Sequence, residues 1–157
     1  MQAANDIEIV DYSSHYGDAF KRLNYEWLEK YFRVEPIDRT ILSDPETTII
    51  KPGGVILYAV DGETAIGTVA LKHHGDGEYE LTKMAVTDGY QGRGLGRQLM
   101  CAALTRFEEI GGTRLYLESH SSLAPALALY ESAGFRHEPR PSPSEYQRSD
   151  IYMVYRD

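Results

Sequence analysis

The chain has 157 residues, 42% hydrophobic and 25% charged, the length and balance of one globular domain spanning 1–157. A net charge of −8 argues against a nucleic-acid partner, whose phosphates it would repel; it suits cationic amines, though solubility alone accounts for it. One cysteine, Cys101, excludes an internal disulfide and points to the cytoplasm, with the thiol expected to pack as a small apolar group.

The first residues, Met1 to Asp6, have neither a basic segment nor an apolar core, so no signal peptide is read there. The longest apolar run, Val55 to Val60, is too short to span a bilayer, so no membrane partner is expected. Ile7 to Tyr12 alternates as a first strand. Ser13 or Ser14 is the expected cap of the next helix. Phe20, Leu23, Trp27 and Tyr31 recur at helical spacing, with Leu28 and Phe32 beside them, and Pro36 is expected to end that helix. A short second helix is read over Asp38 to Leu42, closed by Asp44-Pro45.

Pro52-Gly53-Gly54 forms a turn. Val55 to Val60, Ala65 to His73 and Glu78 to Val86 follow as three antiparallel strands. Asp61-Gly62 makes the first hairpin turn and His74 to Gly77 the second connection. Leu95, Leu99, Ala103 and Phe107, widened by Met100 and Leu104, mark a third helix stopped by Gly111-Gly112. Arg114 to Ser119 is a strand. Ser121 or Ser122 is the expected cap of a fourth helix, with Pro125 in its first turn and Gly134 at its end. Strands starting at Phe135 and spanning Ile151 to Tyr155 complete the order βααβββαβαββ. This predicts a mixed α/β fold: a largely antiparallel seven-stranded sheet flanked by about four helices. Tyr152 and Tyr155 read equally as a homodimer edge or as core.

The most informative stretch is Gln91-Gly92-Arg93-Gly94-Leu95-Gly96, between the strand of Glu78 to Val86 and the third helix. Strand, glycine turn and helix start together present free backbone N–H groups to an anion. A Walker loop is excluded, because no Lys-Ser/Thr pair follows the glycines. A dinucleotide fingerprint is weak: the spacing is one residue short, and no acid stands about 20 residues on. The pattern Gln91-x-x-Gly94-x-Gly96, after Glu80-Leu81-Thr82-Lys83-Met84-Ala85-Val86, resembles the GNAT superfamily of acetyl-CoA-dependent N-acetyltransferases. Leu115 to Ser119 and Leu129-Tyr130-Glu131-Ser132-Ala133-Gly134-Phe135 extend the resemblance, which runs from about Val55 to Phe135.

The resemblance implies acetyl-CoA (coenzyme A) as cofactor and a primary amine, on a small molecule or a peptide, as acceptor. Gln91, Gly92, Gly94, Leu95 and Gly96 would hold the pyrophosphate through their main chain, with Arg93 and Arg97 adding charge. Each charge-assisted hydrogen bond contributes roughly 1.5–3 kcal/mol, and a micromolar ligand needs about 8 kcal/mol. Met84, Ala85 and Val86 would line the pantetheine arm. Tyr130 matches the family's general acid. Glu80 and Glu118 are candidate bases, since an alkylammonium of pKa about 10.4 must lose a proton before it attacks. His120 is a further candidate base. Where related sequences carry a cofactor-binding Asn, this one has His120-Ser121-Ser122, so Ser121 or Ser122 would substitute. Tyr25, Glu29, Tyr31 and Glu35 are expected to line the acceptor pocket.

His73, His74, Asp76, Glu78 and Glu80 do not make a metal site, because adjacent histidines point to opposite sides of a strand. No nucleophile-elbow serine is present. The implied reaction is direct attack of the amine on the thioester, without an acyl-enzyme. A non-catalytic acyl-CoA-binding sensor is the alternative, and a nucleotide-binding domain a third reading.

Overall fold

The computed structural model describes residues 7–156. The reading of Met1 to Asp6 lies outside them. Seven strands form one sheet: β1 (Ile7–Asp11), β2 (Val55–Asp61), β3 (Thr64–Gly75), β4 (Glu78–Val86), β5 (Arg114–Ser119), β6 (Phe135–His137) and β7 (Ile151–Tyr155). Their order is β1-β2-β3-β4-β5-β7-β6, with only β4 and β5 parallel. Helices α1 (Ala19–Tyr31), α2 (Pro36–Ser43), α3 (Leu95–Glu109) and α4 (Ala124–Ala133) flank it. A 3-10 turn over Ser14–Tyr16 and a π-helical turn over Glu46–Ile50 were not legible in the periodicity.

Strand alternation divides the core between two faces. Ile56, Tyr58 and Val60 of β2 join Phe20, Leu23 and Leu28 of α1 on one side. Leu57 and Ala59 join Leu99, Met100 and Phe107 of α3 on the other. Cys101 is exposed, contrary to expectation, because it falls off the α3 stripe of Leu95, Leu99, Ala103 and Phe107.

Several local expectations shift. Ser13 caps the 3-10 turn, not α1. Pro36 opens α2, because proline tolerates a helix's first position, and α1 has already ended at Tyr31. Asp61 pairs with Thr64, so the tight turn is Gly62-Glu63. Neither Ser121 nor Ser122 caps α4, whose cap position is Leu123. Gly134 closes α4 at φ 114°, a left-handed geometry that glycine adopts freely. Tyr152 and Tyr155 are not on a sheet edge: β7 lies between β5 and β6. Tyr152 is buried and Tyr155 packs against Phe107 and Phe135. Among the described residues, no helix is long and apolar enough to cross a membrane.

Two features of β4 open the sheet. β4 and β5 pair only at Glu78–Arg114, Tyr79–Leu115 and Glu80–Tyr116, and beyond that no pairing joins them. In β4, Lys83 and Met84 together oppose Val69 of β3, since Thr82 pairs with Ala70 and Ala85 with Thr68. This is a β-bulge, which bends its strand and interrupts the ladder. Lys83 carries the bulge at φ 58°.

Candidate active site

The glycine turn joins β4 to α3. Gly92 and Gly94 sit at φ 80° and 78°, and Gly94 is the cap residue of α3. A Cβ at either would meet nothing within 4 Å, so backbone geometry, not crowding, requires glycine. No side chain caps α3. Its first N–H groups therefore face outward with the positive end of the helix dipole. The loop is tied down on both sides. Gln91 Nε2 donates to the Val86 carbonyl at 3.0 Å, and Tyr90 donates to Asp61 at 2.5 Å. Glu26 of α1 accepts from the Thr87 hydroxyl and from the Asp88 N–H.

This turn borders a cleft of about 580 Å³ that continues along Met84, Ala85 and Val86 and across to Leu123, Leu129 and Tyr130. A second cavity of about 90 Å³ lies in the gap between β4 and β5, lined by Glu80, Lys83, Glu118, Tyr146 and Arg148 among others. Trp27, Met84, Leu123 and Tyr130 line both. The half-buried Tyr130 hydroxyl makes no hydrogen bond among the described residues, and burial pushes it up to about 12.

The floor of the smaller cavity is ionic. Asp38 is fully buried and accepts from Lys83 at 2.5 Å and from Arg148 at 2.8 and 2.9 Å. Burial alone would raise this carboxyl; the Arg148 hydrogen bond and the Lys83 charge outweigh it and hold it at about 2. Burial pulls Lys83 down, with Asp38 opposing. Lys83 and Arg148 both lie over the Tyr146 ring, at 4.6 and 4.8 Å from its centre. Glu118 is ion-paired to Arg140 and accepts from Ser149. Glu80, with only 6% of its side chain exposed, has His74 Nε2 at 3.0 Å as its hydrogen-bond partner among the described residues.

The cleft thus gathers Met84, Ala85, Val86, Gln91, Gly92, Gly94, Leu95, Gly96 and Tyr130. It does not gather Arg93, which stacks over Tyr90, or Arg97, which donates to Ser132. Ser122 lines it, while Ser121 is turned to Asp150 through two hydrogen bonds. Glu80, Glu118 and His120 line the smaller cavity, with the His120 Nδ1 engaged by Ser122 at 2.7 Å. Of the expected acceptor residues, Tyr31 borders the larger cleft. Tyr25, Glu29 and Glu35 line neither cavity. On α1, Asn24, Trp27, Leu28 and Tyr31 share the facing side by helical spacing, whereas residues 25 and 29 fall off it. Glu35 is buried and grips the Gln147 and Arg148 main chain.

The family model described as the acetyltransferase (GNAT) family matches residues 6–135. The chain belongs to the GNAT family. It is 45% identical over 135 residues to the [ribosomal protein bS18]-alanine N-acetyltransferase of Escherichia coli strain K12, covering 86% of this chain and 81% of that protein. Matches to two other curated relatives span only 25% and 35% of their lengths. The fold superposes on a Staphylococcus aureus acetyltransferase of the GNAT family with a TM-score of 0.84 at 20% identity, covering 94% and 97% of the two chains. It also superposes on the PaiA N-acetyltransferase of Thermoplasma acidophilum, solved with coenzyme A, with a TM-score of 0.74 at 19% identity over 96% and 99% of the chains. GNAT acetyltransferases draw their acetyl group from acetyl-CoA. The residues of the larger cleft suit that molecule: a glycine turn and a helix start without a side-chain cap for a diphosphate, then Met84 to Val86 leading to the Tyr130 hydroxyl, which has no hydrogen-bond partner among the described residues.

Proposed function

We propose that this GNAT domain, spanning the whole chain, is a cytoplasmic N-acetyltransferase that moves an acetyl group from acetyl-CoA to a primary amine by direct attack in a ternary complex. The observation that carries the reading is the seam of Trp27, Met84, Leu123 and Tyr130, where a donor-sized cleft meets a small carboxylate-lined cavity. Main-chain N–H groups of Gln91 to Gly96 hold the diphosphate. Met84, Ala85 and Val86 flank the pantetheine arm. Bound acetyl-CoA supplies a thioester carbonyl open to an amine.

Glu80 takes the proton that the acceptor ammonium must lose. It is preferred over Glu118 on physical grounds. Neutralising Glu118 would forfeit its ion pair with Arg140, whereas the partner of Glu80 is a histidine that can itself accept a proton. Glu118 positions the loop that carries Arg140 and Ser149. Tyr130 keeps its proton at neutral pH. Passing that proton fully to a thiolate of pKa about 8.5 would be uphill by about 5 kcal/mol, so Tyr130 works as a hydrogen-bond donor to the departing sulfur.

The acceptor is a chain-end or small-molecule amine. A cavity of about 90 Å³ admits a short group and not a folded surface, and the Escherichia coli relative carries alanine in its name as its target. The test is acetyl-CoA-dependent release of CoA with peptides led by alanine, lysine peptides, polyamines, amino acids and aminoglycosides. At least one should be acetylated, and Glu80→Gln should lower kcat by about 10²-fold or more, further than Glu118→Gln. Tight acetyl-CoA binding with no release above hydrolysis for any amine would overturn the enzyme in favour of an acyl-CoA-binding module.

A further inference from the structure

The base of an acetyltransferase must be emptied after every turnover, and Glu80 has almost no contact with solvent. Its carboxylate meets the cavity on one side and His74 Nε2 at 3.0 Å on the other. The same nitrogen lies 3.0 Å from the Tyr116 hydroxyl. His74 is the more open of the pair, with 27% of its side chain exposed against 6% for Glu80.

Three strands bring these groups together. Tyr116 of β5 is the register partner of Glu80 of β4. In β3 the register jumps between His73 and Gly75, so His74 has no cross-strand partner of its own. The two histidines face different partners, as neighbours on a strand do: His73 stacks on Tyr79 at 4.7 Å, while His74 tilts over Tyr116 at 5.6 Å. Tyr116 is itself stacked on Tyr152, whose hydroxyl accepts from Arg114 at 2.7 Å. The aromatic stack fixes the ring that faces His74.

We propose that His74 is the proton exit of this enzyme, carrying to solvent the proton that Glu80 takes from the acceptor, with Tyr116 as the residue that positions its ring. The inference rests on Glu80 being the base. While Glu80 is ionised the Tyr116 hydroxyl donates to the lone pair of Nε2 and holds the Nδ1–H form of the ring; once Glu80 is protonated its O–H takes that place at Nε2. The acceptor N–H bond breaks and an O–H bond forms on Glu80. That bond breaks in turn as an N–H bond forms at Nε2. The imidazolium releases its Nδ1 proton to water, which leaves the neutral Nε2–H form, and exchange with water returns the remaining proton from Nε2 to Nδ1. One proton leaves per acetyl transferred, and the carboxylate is regenerated. Burial first, then the nearby carboxylates of Glu80, Glu118 and Glu78, push the Tyr116 hydroxyl well above the ordinary tyrosine value. Tyr116 therefore stays protonated and does not carry the proton itself.

The test uses the full chain, acetyl-CoA and the fastest amine of the panel above. His74→Gln keeps a hydrogen-bonding side chain but cannot relay; His74→Ala leaves a space open to buffer. Both should lose about 10-fold or more in kcat with KM for the amine little changed. Imidazole added to the buffer should restore most of the rate of His74→Ala, and none of that of His74→Gln. A wild-type kcat in His74→Gln, or no rescue of His74→Ala, overturns the relay. Glu80→Gln separates the two readings. If it is impaired while the His74 variants are fully active, only the relay fails. If it is fully active, the base assignment fails and the relay with it.

Discussion

Asp38 and Lys83 meet at 2.5 Å beneath the smaller cavity, one from the first turn of α2 and one from the bulge of β4. The carboxylate is fully buried, and Arg148 closes it from the other side. The pair pins the bend of β4 to the helical side of the sheet, and so holds the gap between β4 and β5 at the place where the two cavities join.

This pair predicts an acid-sensitive fold. The Asp38 carboxyl lies at about 2, below its ordinary 3.8. A lowered acid stabilises the folded state above its unfolded value, and that contribution disappears as pH falls through the folded one. About 2 kcal/mol should be present above pH about 4 and lost toward pH about 2. Asp38→Asn leaves Lys83 and Arg148 without their charge partner and should cost roughly 3–5 kcal/mol near neutrality. Urea unfolding of both proteins across that range checks this. A gap between them that does not narrow on acidification would show that the carboxylate charge is not what the fold uses.

Tyr130→Phe removes one hydroxyl that makes no hydrogen bond within the described residues. Stability should barely change, kcat should fall about 10²-fold, and the acetyl-CoA Kd measured by calorimetry should stay within a few-fold. Unchanged turnover, with chemistry rate-limiting, would remove Tyr130 from the reaction.

Gly94 stands at φ 78° with open space around it. Gly94→Val meets no steric neighbour, so its effect comes from backbone conformation alone. A β-branched residue resists the left-handed region, and the loop should relax away from the helix start. The acetyl-CoA Kd is expected to rise about 10-fold or more, corresponding to roughly 1–3 kcal/mol of strain. Titration calorimetry with acetyl-CoA and with desulfo-CoA reads this without needing turnover.

Glu26 holds the entrance of the same loop through Thr87 and Asp88 and lines neither cavity. Glu26→Ala should weaken acetyl-CoA by about 5-fold while kcat at saturation is kept, because it costs loop order and not chemistry. A fall in kcat at saturating acetyl-CoA would contradict that role.

On α1, Tyr31→Ala should raise a substrate KM several-fold, while Tyr25→Ala and Glu29→Ala should not. Tyr31 borders the cleft; Tyr25 instead packs its ring under Lys21 at 5.5 Å. Equal KM effects from Tyr25 and Tyr31 would mean that the acceptor approaches over the whole helix face.

Much of this molecule was legible in the chain itself. The strands from Val55 to Val86, the stripe of α3, the glycine turn and the Leu129 to Phe135 ending are local patterns, each the product of a fixed backbone period or a left-handed position. They sufficed for the fold, for the family and for the β4 and glycine-turn side of the larger cleft, but not for Trp27, Leu123, Pro125, Ala126 and Leu129 across from it. Local turns were less secure: Pro36 suits the start of a helix as well as its end, and Ser121 and Ser122 found Asp150 and His120 instead of helix N–H groups.

What only the tertiary structure decided is which charges meet. Asp38 and Lys83 are 45 residues apart, and Arg148 reaches Asp38 from 110 residues away. Glu80 turned out to face His74, and Glu118 to face Arg140. A hydrophobic pattern records which side of an element is dry, since burial repeats with the backbone period. An ion pair follows no period: its partners are chosen by how the strands twist, where one bulge shifts a register, and which loop is folded over the gap that results.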